Sequence, residues 1–178
     1  SLTAGTVMHA TRKPLRMWFR AMWWTCTQKT GGSAKGLQRL LGLGSYQTAW
    51  AWLHKLRRAM IRASREQLEG PVEIDDAFIG GREKGVIGRQ SVKKARIVIA
   101  VEVRGDTRKT LGRVRLGHVP DFSADSLVPF VVENVVADSP VITDGWKGYR
   151  ALGSNGFAHE VRPGDAELLA NVHRIVAL

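Results

Sequence analysis

The sequence predicts an α/β fold with a mixed sheet, preceded by an all-α region of helix-turn-helix type. Three observations lead there. Apolar residues recur at helical spacing from Leu15 to about Arg65 and at strand spacing from Val72 onward. Gly70-Pro71 separates the two grammars. Residues 1–70 hold 12 Lys/Arg against Glu66 and Glu69 alone, a charge of +10, whereas residues 71–178 hold 15 against 14 acids, +1. Two domains are therefore expected, 1–70 and 71–178.

The first helix starts at Pro14, a good first-turn residue, and its apolar stripe is expected to be Leu15, Trp18, Phe19, Met22, Trp23 and Cys26. Gly31-Gly32 ends it. Ser33 is placed to cap a second helix with Ala34, Leu37, Leu40 and Leu41 inward, and Gly42-Leu43-Gly44 supplies a tight turn before Ser45 caps a third. That third helix is expected to run from Tyr46 to about Arg65, with Tyr46, Ala49, Trp50, Leu53, Leu56 and Met60 inward. Helix, glycine turn, helix with a basic outer face is the arrangement that places a second helix in a DNA major groove. A three-helix bundle with solvated cations has the same spacing, but the absence of any acid before Glu66 argues for an anionic partner.

Beyond Pro71 the pattern alternates. Strands are expected over Val72–Phe78, Ala95–Val103 and Leu111–Val119, a helix from Ser123 through Asn134 with Leu127, Phe130 and Val131 inward, a short buried strand over Pro140–Thr143, and another over Ala158–Arg162. Asp165 and Glu167 suit the first turn of a final helix. Periodicity does not fix the strand order. Between the first two strands, Gly80 to Lys94 forms a glycine-rich basic loop suited to phosphate contacts, with Arg82, Lys84, Arg89, Lys93 and Lys94.

Composition bounds the rest. With 44% apolar residues the chain has ample material for a core, and its net charge of +11 with a pI near 10.5 suits an anionic partner. Cys26 is the only cysteine, which excludes an internal disulfide or a Cys-based zinc finger within this chain and fits a reducing cytosol. The most hydrophobic patch, Leu15 to Cys26, is too short to span a bilayer, so the chain reads as soluble and cytoplasmic, with no membrane partner. It begins at Ser1 and ends inside an apolar run, and is expected to be a piece of a longer protein.

The acids carry the chemistry. Glu73 and Asp75 share one side of the first strand, while Val72, Ile74, Asp76 and Phe78 point the other way. Acids in an apolar strand are costly to bury without partners. Asp144 ends the Pro140–Thr143 strand, where a side chain can reach toward the first strand, but an acid before glycine equally suits a turn. Carboxylates on neighbouring strands can hold two Mg²⁺ about 4 Å apart for phosphodiester chemistry. His173, on an apolar face, fits either a core position or a ligand.

Several stretches resemble the IS-fifteen-ninety-five, or ISXO-two-like, group of bacterial insertion-sequence transposases: SLTAGTVMHATRKPLRMWFRAMW, SAKGLQRLLGLGSYQTAWAWLHKLRRAM, VEIDDAFIGG, ITDGWKGYRAL and NVHRIVAL. They occur in the family's order along nearly the whole chain. The resemblance implies an RNase H-like catalytic domain of the DDE/D superfamily behind a helix-turn-helix, and DNA cleavage and joining assisted by Mg²⁺. Asp75 matches the family's first catalytic aspartate, with Asp76 in place of the following glutamate. Asp144 matches the second aspartate, and His173 the histidine of the VHR stretch. The family's zinc ribbon and a lysine past the third catalytic residue have no counterpart here.

On that basis Asp75, Asp144 and His173 are the expected catalytic and metal-holding residues for two Mg²⁺, or Mn²⁺ given the softer imidazole. Lys55, Arg57, Arg58 and Arg62, with the Gly80–Lys94 loop, are the expected phosphate contacts; Gln47 and Thr48 are the expected base contacts. Trp146 and Tyr149 fit either base stacking or packing of the Asp144 turn. The expected partner is double-stranded DNA, bound by a homo-oligomer. A nuclease or resolvase that does not join strands, and a non-catalytic helix-turn-helix regulator, are the alternatives.

Overall fold

The computed structural model describes residues 2–28, 30–61, 65–81, 83, 91, 93–104, 110–162 and 169–176. The chain divides into two compact units, Ser1–Arg65 and Glu66–Leu178. Among the described residues no helix is long and apolar enough to cross a membrane.

The first unit is all-α: α1 (Leu15–Thr27), α2 (Ala34–Leu41) and α3 (Tyr46–Ala59). Ser33 Oγ accepts from the Gly36 amide at 3.0 Å and Ser45 Oγ from the Thr48 amide at 3.4 Å, the two caps the sequence predicts. Gly42 ends α2 in the left-handed conformation, φ 62°, where a side chain would be strained. The Leu43 amide then returns to the Gln38 carbonyl at 3.0 Å and closes the turn between α2 and α3. Inside, Trp18 stacks on Trp52 with ring centroids 3.8 Å apart, and Ala21, Leu37, Leu53 and Leu56 pack around the pair.

The inward faces of two helices differ from expectation. On α1, Trp18 and Ala21 are buried, while Leu15, Phe19, Trp23 and Cys26 are exposed. On α3, Trp52 turns inward and Trp50, Tyr46 and Met60 lie in the open. Both helices are apolar on more than one side, so several rows satisfy a period of 3.6, and the Trp18–Trp52 stack decides between them. The third helix also ends at Ala59, short of Arg65.

The second unit is built on a five-stranded sheet in the order β3-β2-β1-β4-β5, with β1 (Val72–Ile79), β2 (Ala95–Arg104), β3 (Thr110–His118), β4 (Pro140–Thr143) and β5 (Ala158–Val161). The first three strands form an antiparallel meander; β4 then joins β1 in parallel, and β5 joins β4 in parallel. This mixed sheet, with helices on it, is the RNase H-like arrangement. On one face, Val72, Ile74, Val98 and Ala100 pack against Leu127 and Val131 of α4 (Ala124–Asn134) and against Tyr149 and Leu152 of a 3-10 helix over Lys147–Asn155. On the other face, Ile99 and Val101 pack against Val172 of α5 (Ala170–Val176). Ser123 stands at the start of α4 as expected, yet its hydroxyl makes no capping bond; Asp121 instead accepts from the Ser123 amide at 2.9 Å and the Ser126 hydroxyl at 2.7 Å. The expected helix start at Asp165 and Glu167 lies outside the described residues.

Candidate active site

The site grows out of the β1/β4 pairing. In its parallel register Glu73 lies opposite Ile142, and two residues further along stand Asp75, within β1, and Asp144, just past the end of β4. Alternation along β1 sends Val72, Ile74 and Phe78 into the core beneath α4, leaving Glu73 and Asp75 for the face that α5 covers. The expectation that these acids share one face holds.

Asp75 is the central group. Its side chain is 16% exposed, and His173 Nε2 lies 3.3 Å from its Oδ2. Burial pushes its pKa above the ordinary 3.8, and the nearby Asp144 charge pushes the same way, against the lowering effects of the Asp76 amide and His173. The Asp76 amide donates to Asp75 Oδ1 at 2.8 Å. Asp75 is thus a carboxylate whose charged form the protein itself leaves under-compensated.

Asp144 plays a second part at the same time. Its Oδ1 accepts from the Trp146 amide at 2.9 Å, closing a side-chain turn across Gly145. Gly145 has φ 86°, and a Cβ there would lie 2.7 Å from Val161 Cγ1, so both conformation and space restrict the position to glycine. The turn reading and the site reading of Asp144 therefore coexist. Just before it, the Thr143 hydroxyl meets His159 Nε2 at 2.9 Å, and burial lowers the His159 pKa.

The two aromatics of this segment separate. Tyr149 is fully buried, with its hydroxyl 3.5 Å from Asp76 Oδ1, so of its two readings the structure supports packing and not base stacking: no ring face is open to a base. Trp146 is half-buried, donates Nε1 to the Phe122 carbonyl at 2.8 Å and carries Lys147 Nζ 5.5 Å from its ring centroid. With Arg96, Asp121, Phe122, Ser123 and Lys147 it lines a groove of about 300 Å³.

The donor set suits a hard divalent cation by its chemistry: one carboxylate within β1 and one just past the end of the neighbouring β4, the first raised in pKa by burial and then by the second, with an imidazole in contact. It is not a closed cage. Among the described residues, no three His, Cys, Asp or Glu side chains are gathered into a metal-binding group.

Sequence reasoning missed what Glu73 does. Its carboxylate is 3% exposed and accepts from the Asn171 amide at 3.0 Å, the Asn171 Nδ2 at 3.1 Å and the Val172 amide at 3.3 Å. The available signal was the acid itself, at a buried position of an apolar strand. Also unforeseen is Glu102 on β2, buried and bonded to the Arg113 side chain and the amides of Glu69 and Arg113.

Among the expected DNA contacts, Gln47, Lys55, Arg57 and Arg58 are exposed on α3 and Thr48 is half-buried. Gln47 Oε1 accepts from Ser45 Oγ at 2.9 Å, and Arg57 Nη2 donates to the Gly32 carbonyl at 2.8 Å. Lys93 is exposed and Lys94 half-buried. Arg62, Arg82, Lys84 and Arg89 lie outside the described residues.

A family model, the ISXO2-like transposase domain, matches residues 67–163, more than half of the chain. The match spans Asp75 and Asp144 and ends before α5. No curated protein matches the chain.

Proposed function

The chain belongs to the ISXO2-like transposase family, and from that premise we propose that its second unit cleaves transposon-end DNA and joins the freed end to target DNA, while its first unit grips the duplex. DDE transposases work with divalent metal ions. In this reading Asp75 of β1 and Asp144, just past β4, would hold two Mg²⁺ or Mn²⁺, and His173 would complete the set from α5. The ions, when bound, lower the pKa of the attacking water or 3′-hydroxyl and offset charge on the phosphodiester oxygens.

The residues themselves supply position. Asp75, held at 3.3 Å by His173 and at 2.8 Å by the Asp76 amide, presents its carboxylate in one orientation. Asp144 is oriented by its own turn onto the Trp146 amide. The observation that carries the proposal is geometric: the parallel β1/β4 register sets Asp75 and Asp144 each two residues beyond the Glu73–Ile142 pair, with His173 Nε2 3.3 Å from Asp75. Burial first, and then the Asp144 charge, raise the Asp75 pKa, so the ionised pair is disfavoured without a compensating cation. Lys55, Arg57 and Arg58 of α3, with Arg62, Arg82, Lys84, Arg89, Lys93 and Lys94, are proposed for the phosphate backbone, and Gln47 and Thr48 for base edges. We further propose a homo-oligomer as the acting form, since two element ends must be handled together.

Incubating the protein with labelled DNA carrying the element's own ends, in Mg²⁺ or Mn²⁺, tests this. Joined products support a transposase, cleavage alone indicates a nuclease, and retarded DNA without cleavage indicates a binding protein. Asp144→Ala is expected to abolish joining; joining that survives it would show that the site lies elsewhere.

A further inference from the structure

Glu73 and Asp75 stand two residues apart on the same face of β1, and both meet α5. Asp75 meets His173, at 3.3 Å. Glu73 meets the start of the same helix, accepting from the Asn171 and Val172 amides and from Asn171 Nδ2 at 3.0 to 3.3 Å. Among the described residues, the hydrogen bonds that the Glu73 carboxylate accepts all come from α5.

The seven described residues of α5 are too few to hold a helix in water by themselves, so their place on the sheet depends on what they touch. The apolar part of that contact is Val172, buried against Ile99 and Val101, with Ile175, Ala77, Ile97, Leu111 and Val114 partly buried around them. Such packing is non-directional and tolerates sliding along the sheet. The Glu73 contact is directional, because a carboxylate facing two consecutive amides and a side-chain amide fixes height and rotation together. Asn171 is fully buried, and its Oδ1 has no hydrogen-bond partner among the described residues, a cost that an apolar side chain would avoid. Its Nδ2 bond to Glu73 is the visible return.

We infer that Glu73 is the positioning residue for His173: its buried carboxylate fixes the start of α5 and thereby the distance at which the imidazole faces Asp75. The inference rests on the reading of His173 as part of the site. Glu73 touches no substrate in this scheme and acts through the helix.

The test uses the full chain and two readouts. The protein has five histidines, and the Cε1–Hε1 NMR signal of His173 is assigned by its loss in His173→Ala. Glu73→Gln keeps the size of the side chain but turns an N–H₂ group toward amide donors. In it the His173 signal is expected to shift while those of His9, His54 and His118 stay. Mn²⁺ affinity, followed by calorimetry, is expected to fall roughly tenfold in Glu73→Gln and in His173→Ala, with the double variant no weaker than His173→Ala alone. Asn171→Ala, which removes one of the three bonds, should move the same signal less and keeps the test open if Glu73→Gln does not fold. An unmoved His173 signal in whichever of these variants folds overturns the inference, as do additive losses of Mn²⁺ affinity in the double variant. If His173→Ala leaves Mn²⁺ binding intact while Glu73→Gln still moves the signal, positioning stands and the reading of the site falls.

Discussion

Asp75 shows how a single side chain can be set against the stability of its own unit. Its folded-state pKa lies above the ordinary 3.8, first because it is buried and then because Asp144 is near. An acid shifted in that direction contributes stability that is fully present below its unfolded pKa and lost as pH rises through the folded value. At neutral pH the ionised group is therefore held at a cost. Asp75→Asn should remove that cost and stabilise the protein by about 0.5–2 kcal/mol, the range typical of single stabilising substitutions. The same variant should lose any response to added ions, whereas the native protein should gain about 2.7 kcal/mol at a Mg²⁺ concentration 100 times the dissociation constant. Thermal melts with and without MgCl₂ check both halves. A destabilised Asp75→Asn would mean that the contact with His173 outweighs burial and repulsion.

At the scale of elements, the strands were more legible than the helices. Val72, Ile74 and Phe78 alternate with Glu73 and Asp75, and a strand covered on both faces by different partners turns that alternation into an assignment. In α1 and α3 tryptophans occur on several sides, so periodicity alone named Trp23 as core together with Trp18, and Trp50 in place of Trp52, where Trp18 and Trp52 are the pair that stacks. The β1/β4 pairing joins segments some seventy residues apart, and no local signal encodes it. The same limit hid Glu102. Burial raises the pKa of this β2 acid, but bonds from Arg113 and the amides of Glu69 and Arg113 outweigh burial and bring it to about 2. Its partners come from β3 and from the segment leading into β1, so it ties three stretches of chain together. An acid with a depressed pKa contributes stability that is present above its unfolded value of 4.5 and lost as pH falls through about 2. Glu102→Gln should therefore cost about 2–3 kcal/mol at neutral pH. Its deficit relative to the native protein should shrink between pH 4.5 and 2, which urea denaturation at a series of pH values would register. A deficit unchanged across that window would locate the loss in packing rather than charge.

Across the whole molecule, charge follows the division into units. Ser1–Arg65 carries 12 Lys/Arg and no acid, and Glu66–Leu178 carries the remaining 15 against all 16 acids, giving +12 and −1. If DNA is bound as proposed, the cationic surface that would meet it is concentrated in the all-α unit, and attraction to phosphates there should dominate how affinity responds to salt. Each lost phosphate contact flattens the plot of log affinity against log salt by about 0.9. Lys55 and Arg58, both exposed on α3 one turn apart, are the test pair. Lys55→Ala/Arg58→Ala should flatten the slope by about 2, with a uniform loss of affinity across unrelated sequences. Arg57 differs from them because its guanidinium already donates to the Gly32 carbonyl at 2.8 Å. Arg57→Ala should accordingly lower the melting temperature of the first unit more than it changes the slope. Fluorescence anisotropy with a labelled duplex, repeated across a series of KCl concentrations, separates these cases. An unchanged slope in the double variant would remove α3 from the phosphate contacts and leave the +12 charge to be met through α1, the residues just before it and α2, where Arg12, Lys13, Arg16, Arg20, Lys35 and Arg39 would be the next to substitute.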